Sequence, residues 1–128
     1  MVKKMKMYLS TNQRKIGVVL ADGKDVYFKK CYVSRETFPD SSALQGLKRG
    51  IILARNLLNP SKLEVITDGS YFAHPAQQRA LKNDEMVRRY NNITYHDKTE
   101  KDEYFLQICR NMIKFEEMRE RNGRNYSR

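Results

Sequence analysis

The stretch SALQGLKRGIILA, residues 42–54, decides how this chain divides into helices and strands. Apolar residues recur in and after it at spacings of three or four: Leu44, Leu47, Ile51, Ala54 and Leu58. This period predicts a helix with one apolar face. Ser42 and Gln45 match a capping box, so we expect the helix to begin at Ser42, and Asn59-Pro60 is expected to end it.

Three predicted strands precede this helix. KMKMYLS (residues 4–10) alternates apolar and polar side chains, KIGVVLA (15–21) is a denser apolar run, and KDVYFKKCYVS (24–34) is the third strand. Asp22-Gly23 is a strong hairpin signal, because a type I′ turn needs positive φ at both central positions. We therefore expect the three strands to form an antiparallel meander.

Two further strands follow, each reached through a helix. KLEVIT (residues 62–67) is an apolar strand suited to a buried position, and NITYH (92–96) is a short strand. Between them, a helix is expected to start at Pro75 and to include AQQRALKNDEMVRRY (76–90). A long final helix is expected to end at Gly123. The order β-β-β-α-β-α-β-α predicts an α/β fold whose mixed five-stranded sheet has three antiparallel strands, then two parallel strands, with flanking helices.

Length and composition predict a single domain with one modest core. The chain has 128 residues, of which 40% are hydrophobic, and its mean hydropathy is −0.78. We expect one domain over residues 1–122 and a basic tail over residues 123–128. No apolar run approaches the roughly 18 residues of a spanning helix, and no apolar block follows the basic start, so a cytoplasmic protein is expected. Cys31 and Cys109 lack metal-ligand spacing and are predicted to be free thiols, with a disulfide as the alternative.

The strong positive charge is the first indication of function. Twenty-five Lys and Arg residues against 15 Asp and Glu give a net charge of +10 at pH 7. A small domain this basic attracts phosphates, and such binding depends on salt. The predicted partner is nucleic acid (RNA, DNA or a hybrid), and the alternative is an acidic protein surface. A membrane partner is not expected.

Three motifs, taken in order, resemble the ribonuclease H-like superfamily. Residues 42–54 look like the family's first helix, with Gly46 and Gly50 in matching places. LEVITDGSYF (residues 63–72) resembles the family's fourth strand, and DKTEKDEYF (97–105) resembles the loop and helix start that carry its last acid. The resemblance spans roughly residues 5–115. It implies the ribonuclease H-like fold and that family's metal-dependent chemistry.

The resemblance also implies where a site would lie. The family usually supplies four acids, which hold two divalent ions for an in-line phosphodiester displacement. Here the four places fall on Ser10, Ala43, Asp68 and Asp102, so two of the four acids are missing. Asp68 and Asp102 remain as candidate catalytic and metal-binding residues. The expected cofactor is none, or a weakly bound Mg²⁺ or Mn²⁺, and hydrolysis is expected to be impaired.

Both remaining acids have a structural alternative. Asp68 precedes Gly69 at a strand exit, where Asp often hydrogen-bonds the backbone of its own turn. Asp102 follows Thr99 in a pattern that fits a helix N-terminus, where negative charge is favourable. Among nearby acids, Glu103 would be turned by about 100° from Asp102 on a helix, which makes it a poor substitute ligand.

Basic residues are spread over every predicted element, which indicates a broad electrostatic footprint rather than a groove that reads bases. The candidate nucleic-acid-binding residues are Lys6, Tyr8, Arg14, Lys29, Lys48, Arg49, Arg79, Lys82, Arg88 and Arg89. Alternation points Tyr8 and Tyr27 away from the apolar neighbours on their strands. These two rings are therefore better candidates for stacking on unstacked bases than tyrosines that face the core.

Three functions are compatible with these patterns. The first is a nucleic-acid-binding protein with a degenerate ribonuclease H-like domain, of the kind that a phage or mobile element could carry as an accessory. The second is an active metal-dependent nuclease that cleaves the RNA of RNA–DNA hybrids. The third is a protein-binding adaptor whose basic face docks an acidic partner.

Overall fold

The computed structural model describes residues 4–12, 15–22, 24–33, 39–57, 59–67, 79–80, 83–89 and 93–126. The strands are β1 (Lys4–Asn12), β2 (Lys15–Ala21), β3 (Val26–Val33), β4 (Lys62–Thr67) and β5 (Ile93–Asp97). The helices are α1 (Pro39–Leu57), α2 (Glu85–Arg89) and α3 (Glu103–Tyr126), and a 3-10 turn at Glu100–Asp102 leads into α3.

The five strands form one mixed sheet in the order β3-β2-β1-β4-β5. Strand β2 pairs antiparallel with both β1 and β3, whereas β4 pairs parallel with both β1 and β5. The predicted sheet is therefore confirmed. The first strand of the chain lies at the centre, so β1 contributes to every layer of the fold.

Both faces of the central strands are buried. On one face, α1 packs against Met5, Met7 and Leu9, together with apolar residues of β2 and β4. On the other face, α3 packs Phe105 and Cys109 against residues that include Tyr8, Val19 and Ile66. The odd positions of β1 thus face one helix and the even positions face the other, which gives a three-layer arrangement.

The two glycines of the helix motif allow α1 to lie close to the sheet. A Cβ atom added at Gly46 would collide with the side chain of Ile16, and one added at Gly50 would collide with Met7. On the opposite face, a Cβ at Gly17 would lie 2.6 Å from the backbone carbonyl oxygen of Cys109. Each contact is closer than a side chain permits, so these positions favour glycine for close packing.

Several predicted helix ends are wrong. Helix α1 begins at Pro39, so Ser42 lies inside it and is not its cap. Helix α3 continues to Tyr126, past Gly123, so residues 123–126 of the expected tail are helical. The expected helix over residues 76–90 is broken at Asp84, which accepts a hydrogen bond from the Val87 N–H at 3.1 Å. Pro75, where that helix was expected to start, lies outside the described residues.

Other expectations agree with the structure. Asn59 follows α1 with a positive φ of 42°, and its N–H donates to the Ala54 carbonyl at 2.8 Å, which closes the helix end. Cys31 and Cys109 are both free, as predicted. Within the described segments, none of the helices has the length and apolar composition needed to cross a membrane.

Candidate functional site: a buried carboxylate and two basic faces

Of the predicted site positions, Ser10 and Asp102 lie toward one end of the sheet. Strands β1 and β4 run parallel, with Leu9 paired to Thr67, so both strands end side by side. Gly46 packs near Leu9 and Gly50 near Met7, so α1 runs antiparallel to β1 and begins near that same end. Ser10 lies there and is buried. Asp68 and the side chain of Ala43 lie outside the described residues.

Asp102 is buried, with 4% of its surface exposed, and several donors surround its carboxylate. Its Oδ2 accepts hydrogen bonds from the Thr99 N–H at 2.9 Å and from the Thr99 hydroxyl at 3.0 Å. Its Oδ1 accepts one from the Tyr8 hydroxyl at 3.3 Å. The capping interpretation of Asp102 is confirmed by these contacts, which also tie the start of α3 to β1.

The prediction that the Tyr8 ring could stack on a base is wrong. Alternation does point its ring away from Met7 and Leu9, but α3 covers that face as well, and the ring is only 1% exposed. It stacks on Phe105 with ring centroids 4.7 Å apart and planes inclined by 21°. Burial, followed by the nearby Asp102 carboxylate, raises the pKa of Tyr8 above its ordinary value. Tyr8 therefore offers no free surface to a base, whereas Tyr27 is exposed at the sheet edge.

Glu103, which follows Asp102 in the chain, pairs with two cations. Glu103 forms ion pairs with Arg110 at 2.6 Å and with Lys98 at 3.3 Å, and these contacts hold its pKa below the ordinary range. Within the described ranges, no group of three His, Cys, Asp or Glu side chains has a geometry that could hold a metal ion.

Some of the predicted nucleic-acid-binding cations lie on the α1 side of the molecule. The guanidinium carbon of Arg49 lies 4.9 Å from the ring centre of Tyr32, and the Lys30 ammonium lies 5.2 Å from it. Lys48 is paired with Asp84 at 2.6 Å, and Arg89 is paired with Glu85 at 3.5 Å.

The remaining predicted cations divide between exposed positions and positions that the structure does not describe. Lys29, Arg79 and Arg88 are exposed, and Lys6 is half-buried on β1. Arg14 and Lys82 lie outside the described residues. No single groove of the described structure gathers the predicted set.

A second charged group, on the α3 side, was missed by sequence reasoning. Glu64 on β4 has only 11% of its side chain exposed, and its Oε1 lies 3.0 Å from the Lys4 ammonium and 3.9 Å from the Lys62 ammonium. The His96 Nε2 lies 3.8 Å from the same oxygen. We call Lys4, Lys62, Glu64 and His96 the Glu64 cluster. The available signal was the acid itself, since a Glu inside the apolar run KLEVIT needs partners when buried.

A groove of about 670 Å³ opens between edge strand β3 and α3. Lys29 and Lys30 line one side, and Ile108, Met112 and the exposed ring of Phe115 line the other. Cys31 lies at its floor, where burial raises the pKa of the thiol to about 11.

The chain has a ribonuclease H-like fold, as shown by its sheet order and by its similarity to solved structures. One is an LC11 RNase H1 in complex with an RNA/DNA hybrid, which shares 12% sequence identity over 77% of this chain and 87% of that chain, with a TM-score of 0.60. Another is a foamy viral protease-reverse transcriptase in complex with double-stranded DNA, with 14% identity over 76% of this chain and a TM-score of 0.56.

A foamy viral protease-reverse transcriptase in complex with an RNA/DNA hybrid is also similar, with 13% identity over 75% of this chain and a TM-score of 0.52. This chain spans only 20% and 15% of the two viral chains. No family model matches the sequence, and no curated protein matches it. At these identities the similarity establishes the fold alone.

Proposed function

We propose that this protein binds nucleic acid through the phosphate backbone and cleaves it inefficiently or not at all. A net charge of +10 on a ribonuclease H-like fold supports binding, and the similar structures named above hold an RNA/DNA hybrid or DNA. The proposed loss of cleavage is carried by the site: Ser10, a neutral buried residue, stands where the family has its first acid, and Asp102 serves as a hydrogen-bonded cap.

Catalysis by two metal ions needs several carboxylates with free lone pairs, since each ion's charge must be balanced by oxygen ligands. A divalent ion at Asp102 would compete with Thr99 and Tyr8 for the same oxygens. If Asp68 binds an ion, it does so with little help from Asp102. Binding of nucleic acid should therefore be independent of Mg²⁺.

The test measures binding and cleavage separately. Fluorescence anisotropy of a labelled RNA–DNA hybrid is followed against salt concentration, once with EDTA and once with Mg²⁺, and cleavage is followed on gels with Mg²⁺ or Mn²⁺. We expect affinity to fall steeply with salt, equal affinity in both buffers, and intact substrate. Duplex DNA and single-stranded RNA, measured in parallel, give the preference among nucleic acids.

Two results would contradict the proposal. An absence of binding even at low salt would remove its first half. Metal-dependent cleavage that disappears in Asp68→Asn would remove its second half and establish the active nuclease instead.

The groove between β3 and α3 favours a second candidate, an adaptor for an acidic protein segment. Its apolar wall and Lys29 would suit an extended acidic chain with an apolar anchor, and the outer edge of β3 ends the sheet. The measurement is co-purification under conditions that remove nucleic acid. A bound protein that is lost in Phe115→Ser and in Met112→Ser, while hybrid affinity stays unchanged, would support this function.

A further inference from the structure

Beyond α3, the same side of the sheet carries closely spaced cations. Helix α3 packs against β1, β2 and β3. Lys4, Lys6 and Tyr8 are even positions of β1 and lie on one face of that strand, and Tyr8 packs against α3. The parallel register places Lys4 beside Lys62 and Lys6 beside Glu64. Side chains paired in register project from the same face of a sheet, so all four lie on the α3 side, beyond the edge of the helix.

This arrangement places like charges side by side. Lysines directly opposite each other on neighbouring strands repel, and such pairs destabilise a sheet. Glu64 approaches both ammonium groups, but three lysines against one glutamate leave an excess of two positive charges. Lys4 and Lys62 keep 55% and 49% of their side chains exposed, so their ammonium groups are accessible from solvent.

We propose that Lys6 and the Glu64 cluster form a contact surface for the phosphate backbone of nucleic acid. Glu64 holds Lys4 and Lys62 in place in the free protein, and phosphate oxygens supply the remaining negative charge when nucleic acid binds. This inference rests on the proposed function. It assigns backbone contact to the α3 side of β1, β4 and β5 and away from the face that carries Arg49 and Tyr32.

Removing two charges tests the surface against a matched control. The double variant Lys4→Ala/Lys62→Ala is compared with Lys24→Ala/Lys114→Ala, which removes the same net charge from two exposed positions elsewhere. In the anisotropy assay with the RNA–DNA hybrid, we expect the first variant to bind at least about 10-fold more weakly and its salt slope to fall by about 2, one per lost phosphate contact. The control should change the slope far less.

A second variant tests the role of Glu64, and its expected effect is tighter binding, which a misfolded protein would not show. Glu64→Gln releases both lysines, so it should tighten hybrid binding by roughly 3-fold or more, the size of one added phosphate contact. Glu120→Gln, which releases Lys15 at another place, adds the same net charge and should have a smaller effect. Thermal unfolding of all four variants checks that each is folded.

The outcomes separate the two proposals. If the wild-type protein binds the hybrid but both double variants weaken binding equally, the surface is a solvated ion-pair network, and this inference is overturned while the proposed function stands. Unchanged or weaker binding by folded Glu64→Gln would also overturn it. If the wild-type protein binds no nucleic acid, both proposals fail together.

Discussion

At the scale of the residue, the contact between Tyr8 and Asp102 joins positions 94 apart in the sequence. Tyr8→Phe removes one donor from a buried carboxylate while keeping the ring stacked on Phe105. Because hydrogen bonds to charged groups contribute more than neutral ones, we expect the free energy of unfolding to fall by about 1.5–2 kcal/mol in urea denaturation. Tyr27→Phe is the control: its hydroxyl donates to exposed Asp22 at 2.7 Å, so its effect should be smaller. Equal losses in the two variants would show that the buried hydrogen bond to Asp102 stabilises the fold no more than the exposed one to Asp22.

The thiols give a second prediction at this scale. Burial raises the pKa of Cys31 to about 11, and Cys109 is fully buried. A raised pKa keeps the thiol protonated at pH 8, and since the thiolate is the reactive form, alkylation by iodoacetamide should be much slower than for a free cysteine. The rate at Cys31 should rise about tenfold per pH unit above pH 8, as the thiolate fraction grows, and level off only near pH 11. Mass spectrometry of the native and urea-unfolded protein measures both sites. Rapid labelling at pH 8 without denaturant would contradict the prediction.

Sequence patterns predict where a residue lies in the fold better than they predict which other residues surround it. The motif DKTEKDEYF places Asp102 at the start of the last helix, and it lies there. The alternation of β1 correctly separates Tyr8 from Met7, but alternation cannot tell whether a second layer covers the polar face. The Glu64 cluster was missed for a similar reason, because its partners come from three different strands whose order is set only by the whole sheet.

At the scale of the element, the close approach of helices to the sheet can be tested at glycines. In Gly17→Ala the new methyl group meets the backbone of Cys109, which moves only with α3, so we expect a loss of about 1–3 kcal/mol in the free energy of unfolding. Gly50→Ala meets the flexible end of Met7 and gains up to about 1 kcal/mol of helix propensity, so its net cost should be lower. Urea denaturation of both variants measures which of them loses more free energy of unfolding. A greater loss in Gly50→Ala would contradict the packing described here.

The errors at helix ends also have physical reasons. Pro39 occupies the first position of α1, where proline is favoured, and this start signal outweighed the capping box at Ser42. Gly123 did not end α3, because glycine in a helix costs only about 1 kcal/mol and the helix continues through it. Asp84 was assigned to a helix interior, yet its side chain caps α2. In contrast, the period of residues 42–54 and the strand patterns were strong enough to predict element order and sheet type.

At the scale of the whole molecule, the position of each strand predicts how strongly its backbone is protected. Strand β1 has a partner on both sides and a helix on each face, whereas β5 ends the sheet. We expect the amides of β1 to exchange slowest in native-state hydrogen exchange followed by NMR, and those of β5 to exchange among the fastest of the strands. Faster exchange in β1 than in β5 would contradict the observed strand order.

The central place of β1 has a further consequence for how the protein is made. Residues 4–12 leave the ribosome before β4 (residues 62–67), their partner on one side, is synthesised. During that interval the meander of β1, β2 and β3 exposes an apolar, unpaired edge that can join another chain. Contacts such as Asn12 with Glu117 form only after α3 has been synthesised. We therefore expect an aggregation-prone stage during synthesis, and a yield in cells that depends on chaperones more than the stability of the finished fold would suggest.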